Sequence, residues 1–237
     1  MTDVGVVLKT KPYRDHDLIV DFLSAKHGRL SLIARGARKS SRRFGGALEI
    51  GARLQIEQSQ SNRGRLKALT SCDIIRVPRN ARHDLARFYQ LAYVVEVIER
   101  LTVEGQAETG NEAALDQYLQ YLEEKTPNHA ELVSWELWVL KHNGFVFQFW
   151  PCIESGEPPE SFSVSMGGAI RHSAVHVTDS LPCGREALHA IDQMQLGLFQ
   201  GAGTACHQSV RGLMNHVWNS ILERPLKSAT FIGPETF

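Results

Sequence analysis

Near Pro78 the apolar residues change their spacing, from every second position before it to every third or fourth after it. Alternation at period two belongs to strands and recurrence at 3.6 belongs to helices, so the chain has to build two kinds of layer in succession. Before Pro78 the strand candidates are Val4 to Thr10, Leu18 to Ser24, Arg29 to Arg35, the residues around Leu54 and Ile56, and Leu66 to Ile75. His27-Gly28 gives a tight hairpin between the second and third, and Asn62-Arg63-Gly64 turns the fourth into the fifth. After Pro78, Leu85, Phe88, Leu91, Val95, Ile98 and Leu101 form one helical stripe. Asn111 is placed to cap a second helix through Leu115, Tyr118, Leu119 and Leu122. A third helix around 130–143 presents Leu132, Trp135, Val139 and Leu140, and a last one begins near Thr204 with Val210, Leu213, Met214, Val217 and Ile221.

The fold expected from this pattern is α+β. Residues 1–79 form a five-stranded barrel of the oligonucleotide-binding (OB) kind, and residues 80–237 form a mainly α-helical domain. A Pro/Gly/Ser-rich insert at about 150–183 carries only short β-like runs. With 237 residues and 43% hydrophobic content, the chain can bury a core in each part. Its apolar runs stop short of the ~20 residues that cross a bilayer, and Asp3 stands where a signal peptide carries positive charge. A cytoplasmic location is expected. Cys72, Cys152, Cys183 and Cys206 include no C-x-x-C pair and read as reduced thiols.

A net charge of zero hides a segregation. Residues 1–80 hold 16 Lys/Arg against 7 Asp/Glu, whereas the remainder holds 10 against 19. Such asymmetry suggests a polyanion partner for the basic part, because neutralising phosphates releases counterions and supplies affinity independent of sequence. Alternation in the third strand puts Leu30, Leu32 and Ala34 on one face and Arg29, Ser31, Ile33 and Arg35 on the other. In the fifth, Leu66, Ala68 and Thr70 oppose Arg65, Lys67 and Leu69. An outward cationic face of Arg29, Arg35, Arg65 and Lys67 follows. Loops add Lys11, Arg14 and Arg63, and the stretch 36–46 adds Arg38, Lys39, Arg42 and Arg43 in what reads as a loop tracking a phosphate backbone. Tyr13 and Phe44 lie among these cations and are candidates for base stacking. The competing reading tucks Phe44 into the barrel end and packs Tyr13 against the first helix.

Catalytic signatures are absent. The sequence contains no G-x-x-x-x-G-K-[ST], H-E-x-x-H or G-x-S-x-G. Gly201-Ala202-Gly203 reads as a helix-entry turn, and Asp15-His16-Asp17 reads as a solvated loop. No catalytic residue and no cofactor are expected.

Three stretches together resemble the RecO family of bacterial recombination mediators. They are Val7-Leu8-Lys9-Thr10 with Pro12-Tyr13 and Asp17-Leu18-Ile19-Val20; His27-Gly28-Arg29-Leu30 running to Ala34-Arg35-Gly36-Ala37-Arg38; and Arg224-Pro225-Leu226-Lys227-Ser228. The resemblance implies an OB barrel followed by a helical domain. It also implies binding of single- and double-stranded DNA, annealing of complementary strands, and action with RecR to help RecA replace single-strand binding protein (SSB). A groove on the helical domain is expected to accept the acidic, apolar C-terminal tail of SSB, with Lys141 or Arg211 as anchor. The location implied is cytoplasmic and nucleoid-associated. Competing functions are a protein-interaction adaptor and an RNA-binding barrel protein. Many members carry a four-cysteine zinc site in the insert, but here only Cys152 matches, with Ser155 at the next ligand position and Arg171 to Ala174 where a second pair would stand. A substitute set of Cys152, His172, His176 and Cys183 has metal-compatible spacing. The preferred reading is a metal-free segment packed on Phe147, Phe149, Trp150 and Phe162.

Overall fold

A computed structural model describes residues 2–59, 66–107, 109–171, 177–197, 204–222 and 224–233. The chain divides into two compact units, Met1–Thr126 and Pro127–Phe237. This division does not coincide with the change from strands to helices near residue 80, because the first two long helices pack with the barrel.

In the first unit β1 (Thr2–Tyr13), β2 (Asp17–Ser24), β3 (Gly28–Ala34), β4 (Arg53–Gln58) and β5 (Lys67–Arg76) close a barrel in the order β1-β2-β3-β5-β4. All pairs are antiparallel except β3 with β5, which meet in parallel at Leu32 opposite Lys67 and Ile33 opposite Ala68. Val7, Val20, Phe22, Leu32, Ala34, Leu54, Ile56 and Leu69 fill the interior. The turn into β3 needs glycine: Gly28 has φ +67°, and a Cβ there would fall 1.7 Å from the Gln106 carbonyl oxygen.

Alternation assigned β3 correctly, with Leu32 and Ala34 inside and Leu30 packed against them. In β5 the faces are reversed. Leu69 is buried and Thr70 exposed, so Lys67 lies on the parity of the inward Leu69 and is half-buried at the start of the strand. The β4–β5 ladder is irregular between Glu57 and Gln58, and the barrel takes the larger apolar side chain at this bulge.

A single helical turn, α1 (Ser41–Phe44), stands within the stretch expected to be a loop, capped by Ser40 Oγ accepting the Arg43 N–H at 3.1 Å. Phe44 is 3% exposed and belongs to the barrel core. It is not a stacking surface, because its ring is the plug that closes this end of the interior.

α2 (Leu85–Leu101) and α3 (Thr109–Glu124) complete the unit. Leu85 and Phe88, expected in the buried stripe, are exposed, and with Ile50 they line a groove of about 680 Å³. Asn111 is fully buried within α3 instead of capping it. The helices meet the barrel through charges. Arg53 pairs with Glu112 at 2.7 Å and Asp116 at 3.0 Å, Arg76 pairs with Asp116, and Lys9 pairs with Glu99 at 3.2 Å.

The second unit contains α4 (His129–His142), β6 (Ser161–Ser163), β7 (Gly168–Ile170), β8 (Leu181–Pro182), α5 (Arg185–Gln195) and α6 (Thr204–Ile221). The insert is a small sheet of order β7-β6-β8. Phe149 stacks on Phe162 with centroids 5.1 Å apart, and Phe147 meets Phe162 edge-on at 5.6 Å. Between α4 and α6 lies a buried ion pair. Arg211 donates to both carboxylate oxygens of Glu136, at 3.0 and 2.8 Å, and Trp218 Nε1 donates to Glu136 Oε1 at 2.8 Å.

Candidate nucleic-acid interface

Most of the described cations of the barrel fall into two groups. One group is held within the fold. Arg29 donates to the Glu99 carbonyl at 2.7 Å, at the end of α2. Lys11 pairs at 3.1 Å with Asp21, whose other oxygen accepts the Ser31 hydroxyl at 2.8 Å. With Lys9, Arg53 and Arg76 in their ion pairs, these side chains hold strands to one another and to the helices.

The other group gathers at one end of the barrel. Tyr13 pairs with Asp17 and Leu18 with Ala34, so the β1–β2 turn lies beside the exit from β3. Three hydrogen bonds stitch the two segments: Arg38 N to the His16 carbonyl at 3.0 Å, Arg38 Nη1 to the Asp15 carbonyl at 3.2 Å, and Gly36 N to Asp17 Oδ1 at 2.8 Å. Arg43 Nη2 reaches back to the Arg35 carbonyl at 2.8 Å. Arg14, Arg35, Arg38, Lys39 and Arg43 are all exposed here. A guanidinium that gives one N–H to a carbonyl keeps its charge and its other donors. This end can therefore accept several phosphates in a fixed arrangement.

Other expected contacts fall elsewhere. Arg63 and Arg65 lie outside the described residues, as do the side chain of Arg42 and the Gly201-Ala202-Gly203 turn. Lys141 is exposed on the last turn of α4, near Trp138, which is 47% exposed and stacks on His142 with centroids 4.9 Å apart. Arg211 is 4% exposed and engaged by Glu136, so it is no surface anchor. A sequence shows that an arginine lies on a helix but not which carboxylate faces it from another.

Residues 1–78 match the family model for the recombination protein O N-terminal domain, and residues 82–229 match its C-terminal counterpart. The DNA repair protein RecO of Myxococcus xanthus is 32% identical over 235 residues, covering 98% of this chain and 96% of that one. The chain belongs to the RecO family. Two further RecO relatives agree: that of an Anaeromyxobacter species is 33% identical over 198 residues, 81% of this chain and 78% of its own. The Geobacter sulfurreducens RecO is 36% identical over 152 residues, 64% and 62% respectively. The chain is thus a DNA repair protein of the RecO family.

Of the candidate zinc set in the insert of this RecO chain, Cys152 and Cys183 lie among the described residues. Among the described residues no three His, Cys, Asp or Glu side chains converge as a metal site. Cys152 is buried. Burial pushes its thiol up, but hydrogen bonds from the Ser155 hydroxyl and from the Ser155, Glu154 and Arg171 backbone outweigh that and bring its pKa below the ordinary value. Burial pushes the Cys183 thiol up to about 12. His172 and His176 lie outside the described residues.

A carboxylate ties parts of the segment together. Asp179 Oδ1 accepts the Ser163 and Ser165 hydroxyls at 2.8 and 2.7 Å, and Oδ2 accepts the Ser165 N–H at 2.8 Å. Burial would raise its pKa, yet these bonds outweigh it and hold the carboxyl at about 2, against an ordinary 3.8. A depressed carboxylate stabilises the fold fully above its unfolded value, and the contribution fades as pH falls towards the folded one. Stability should therefore fall between pH 4 and pH 2 on account of this group, by less than the full shift implies because solvent screens a partly exposed carboxylate. Denaturation of Asp179→Asn across that range should show a correspondingly flatter pH dependence, and identical profiles would remove the carboxylate from the account.

Proposed function

We propose that this chain is a non-enzymatic recombination mediator that works without a metal. It binds single- and double-stranded DNA, anneals complementary strands and, with RecR, helps RecA replace SSB on single strands. The observation that carries the reading is the stitched barrel end, where Arg14, Arg35, Arg38, Lys39 and Arg43 are exposed together, while Lys9, Arg29, Arg53 and Arg76 are tied to acidic or carbonyl partners on the helices. Phosphate contacts of this kind are indifferent to base sequence, as annealing any complementary pair requires. For SSB, the surface of α4 with exposed Lys141 and Trp138 combines one cation with apolar area, which suits an acidic, apolar tail. The site of action is the cytoplasmic nucleoid. Among the described residues no helix is long and apolar enough to cross a membrane.

The test is annealing of complementary strands coated with SSB, followed with and without the protein. Acceleration is expected, and Lys141→Glu should reduce it on SSB-coated strands while leaving bare strands unaffected. An unchanged rate with the unmodified protein on both substrates would overturn the mediator reading.

A further inference from the structure

The β1–β2 turn holds a side chain in backbone geometry that favours glycine. Among the described residues Arg14 alone combines a side chain with a positive φ, 52°. In this region the Cβ crowds the following carbonyl oxygen, so glycine or asparagine is the stable choice. Such strain persists only where the surroundings impose it, and it gathers at ligand clamps. Here the surroundings are the three stitches from Gly36 and Arg38 to the carbonyls of Asp15 and His16 and the carboxylate of Asp17. They fix a turn in which the Arg14 guanidinium carbon lies 5.2 Å over the Tyr13 ring centroid. Tyr13 remains 37% exposed at the end of β1.

We propose that Tyr13 and Arg14 form a clamp for one unpaired nucleotide, the base stacking on the Tyr13 ring while the guanidinium meets the adjoining phosphate. The inference rests on the DNA-binding reading above and deepens it. A duplex keeps its bases stacked on one another and offers none to Tyr13, so the clamp selects single strands. Stacking tolerates any base, since each has a π face. The strain gives the clamp a distinguishing signature: Arg14→Gly relieves the backbone and removes the phosphate contact, so the fold gains or holds while binding falls.

Full-length protein would be titrated with a labelled single-stranded oligonucleotide, an abasic strand of equal length and the corresponding duplex. Tyr13→Leu should weaken binding of the base-bearing strand roughly tenfold and leave the abasic strand unchanged. Arg14→Gly should make the salt dependence on the base-bearing strand shallower by about 0.7, with Tm equal or higher. A lower Tm for Arg14→Gly would mark the side chain as structural and overturn the clamp. Wild-type binding by both variants, alongside weaker binding when Arg35, Arg38, Lys39 and Arg43 are replaced, would refute the clamp and leave DNA binding standing. No binding of any strand by the unmodified protein would remove both.

Discussion

Arg211→Met should lower the stability of the protein by about 3–5 kcal/mol, read as a fall in the midpoint of urea denaturation. Methionine has nearly the volume of the arginine stem, so the loss is not a cavity. It arises because Glu136, fully buried, still accepts the Trp218 N–H at 2.8 Å but loses both donations from the guanidinium. An ionised carboxylate without its counter-charge in that surrounding is among the most expensive things a core can contain. Adding Glu136→Gln should restore most of the loss, since the amide oxygen still accepts the indole proton and no charge is left behind. A single variant as stable as the unmodified protein would show that the pair contributes nothing net to the fold.

Replacing Arg35, Arg38, Lys39 and Arg43 with alanine should weaken binding of single-stranded DNA by on the order of 10²–10³ at 0.1 M salt. It should also make the slope of log K against log salt shallower by about 3, one phosphate lost per side chain. These side chains are exposed and, where bonded, meet backbone carbonyls, so Tm should move little. Arg29→Ala is the informative contrast. Its guanidinium holds the end of α2 through the Glu99 carbonyl, so its removal should cost stability and leave the salt slope as it was. The measurement is a fluorescence titration at several salt concentrations. Equal slopes for the fourfold variant and the unmodified protein would take the barrel end out of the interface.

Much of the architecture was legible because it rests on local periodicity. All five strands of the barrel lie where alternation and turn residues placed them, and the four helices anticipated after Pro78 are present. α5 was not anticipated; it follows Gly184 at the edge of a Pro/Gly-rich insert and buries Ala187, Leu188, Ala190, Ile191 and Met194. What failed was whatever depends on a partner far along the chain. The β5 parity turned on a bulge in its pairing with β4, which a strand read alone does not reveal. Phe44 sits among arginines in sequence, and only closure of the barrel shows that its ring points inward while Arg43 points out. Arg211 and Lys141 looked equivalent as cations on helices, and Glu136, 75 positions from Arg211, separates them. The charge excess of the first 80 residues was a sound guide to sign and a poor guide to which cations are available, because acidic residues on α2 and α3 take up several of them.

That ionic seam affects how the protein can be dissected. A fragment ending at residue 79 would lose Glu99, Glu112 and Asp116, and with them the counter-charges of Lys9, Arg53 and Arg76. Laid bare, these cations would hold any polyanion, heparin as readily as DNA, and the fragment would outperform its parent in a binding assay for reasons created by the cut. Selectivity belongs to the barrel only while the helices keep its structural charges occupied.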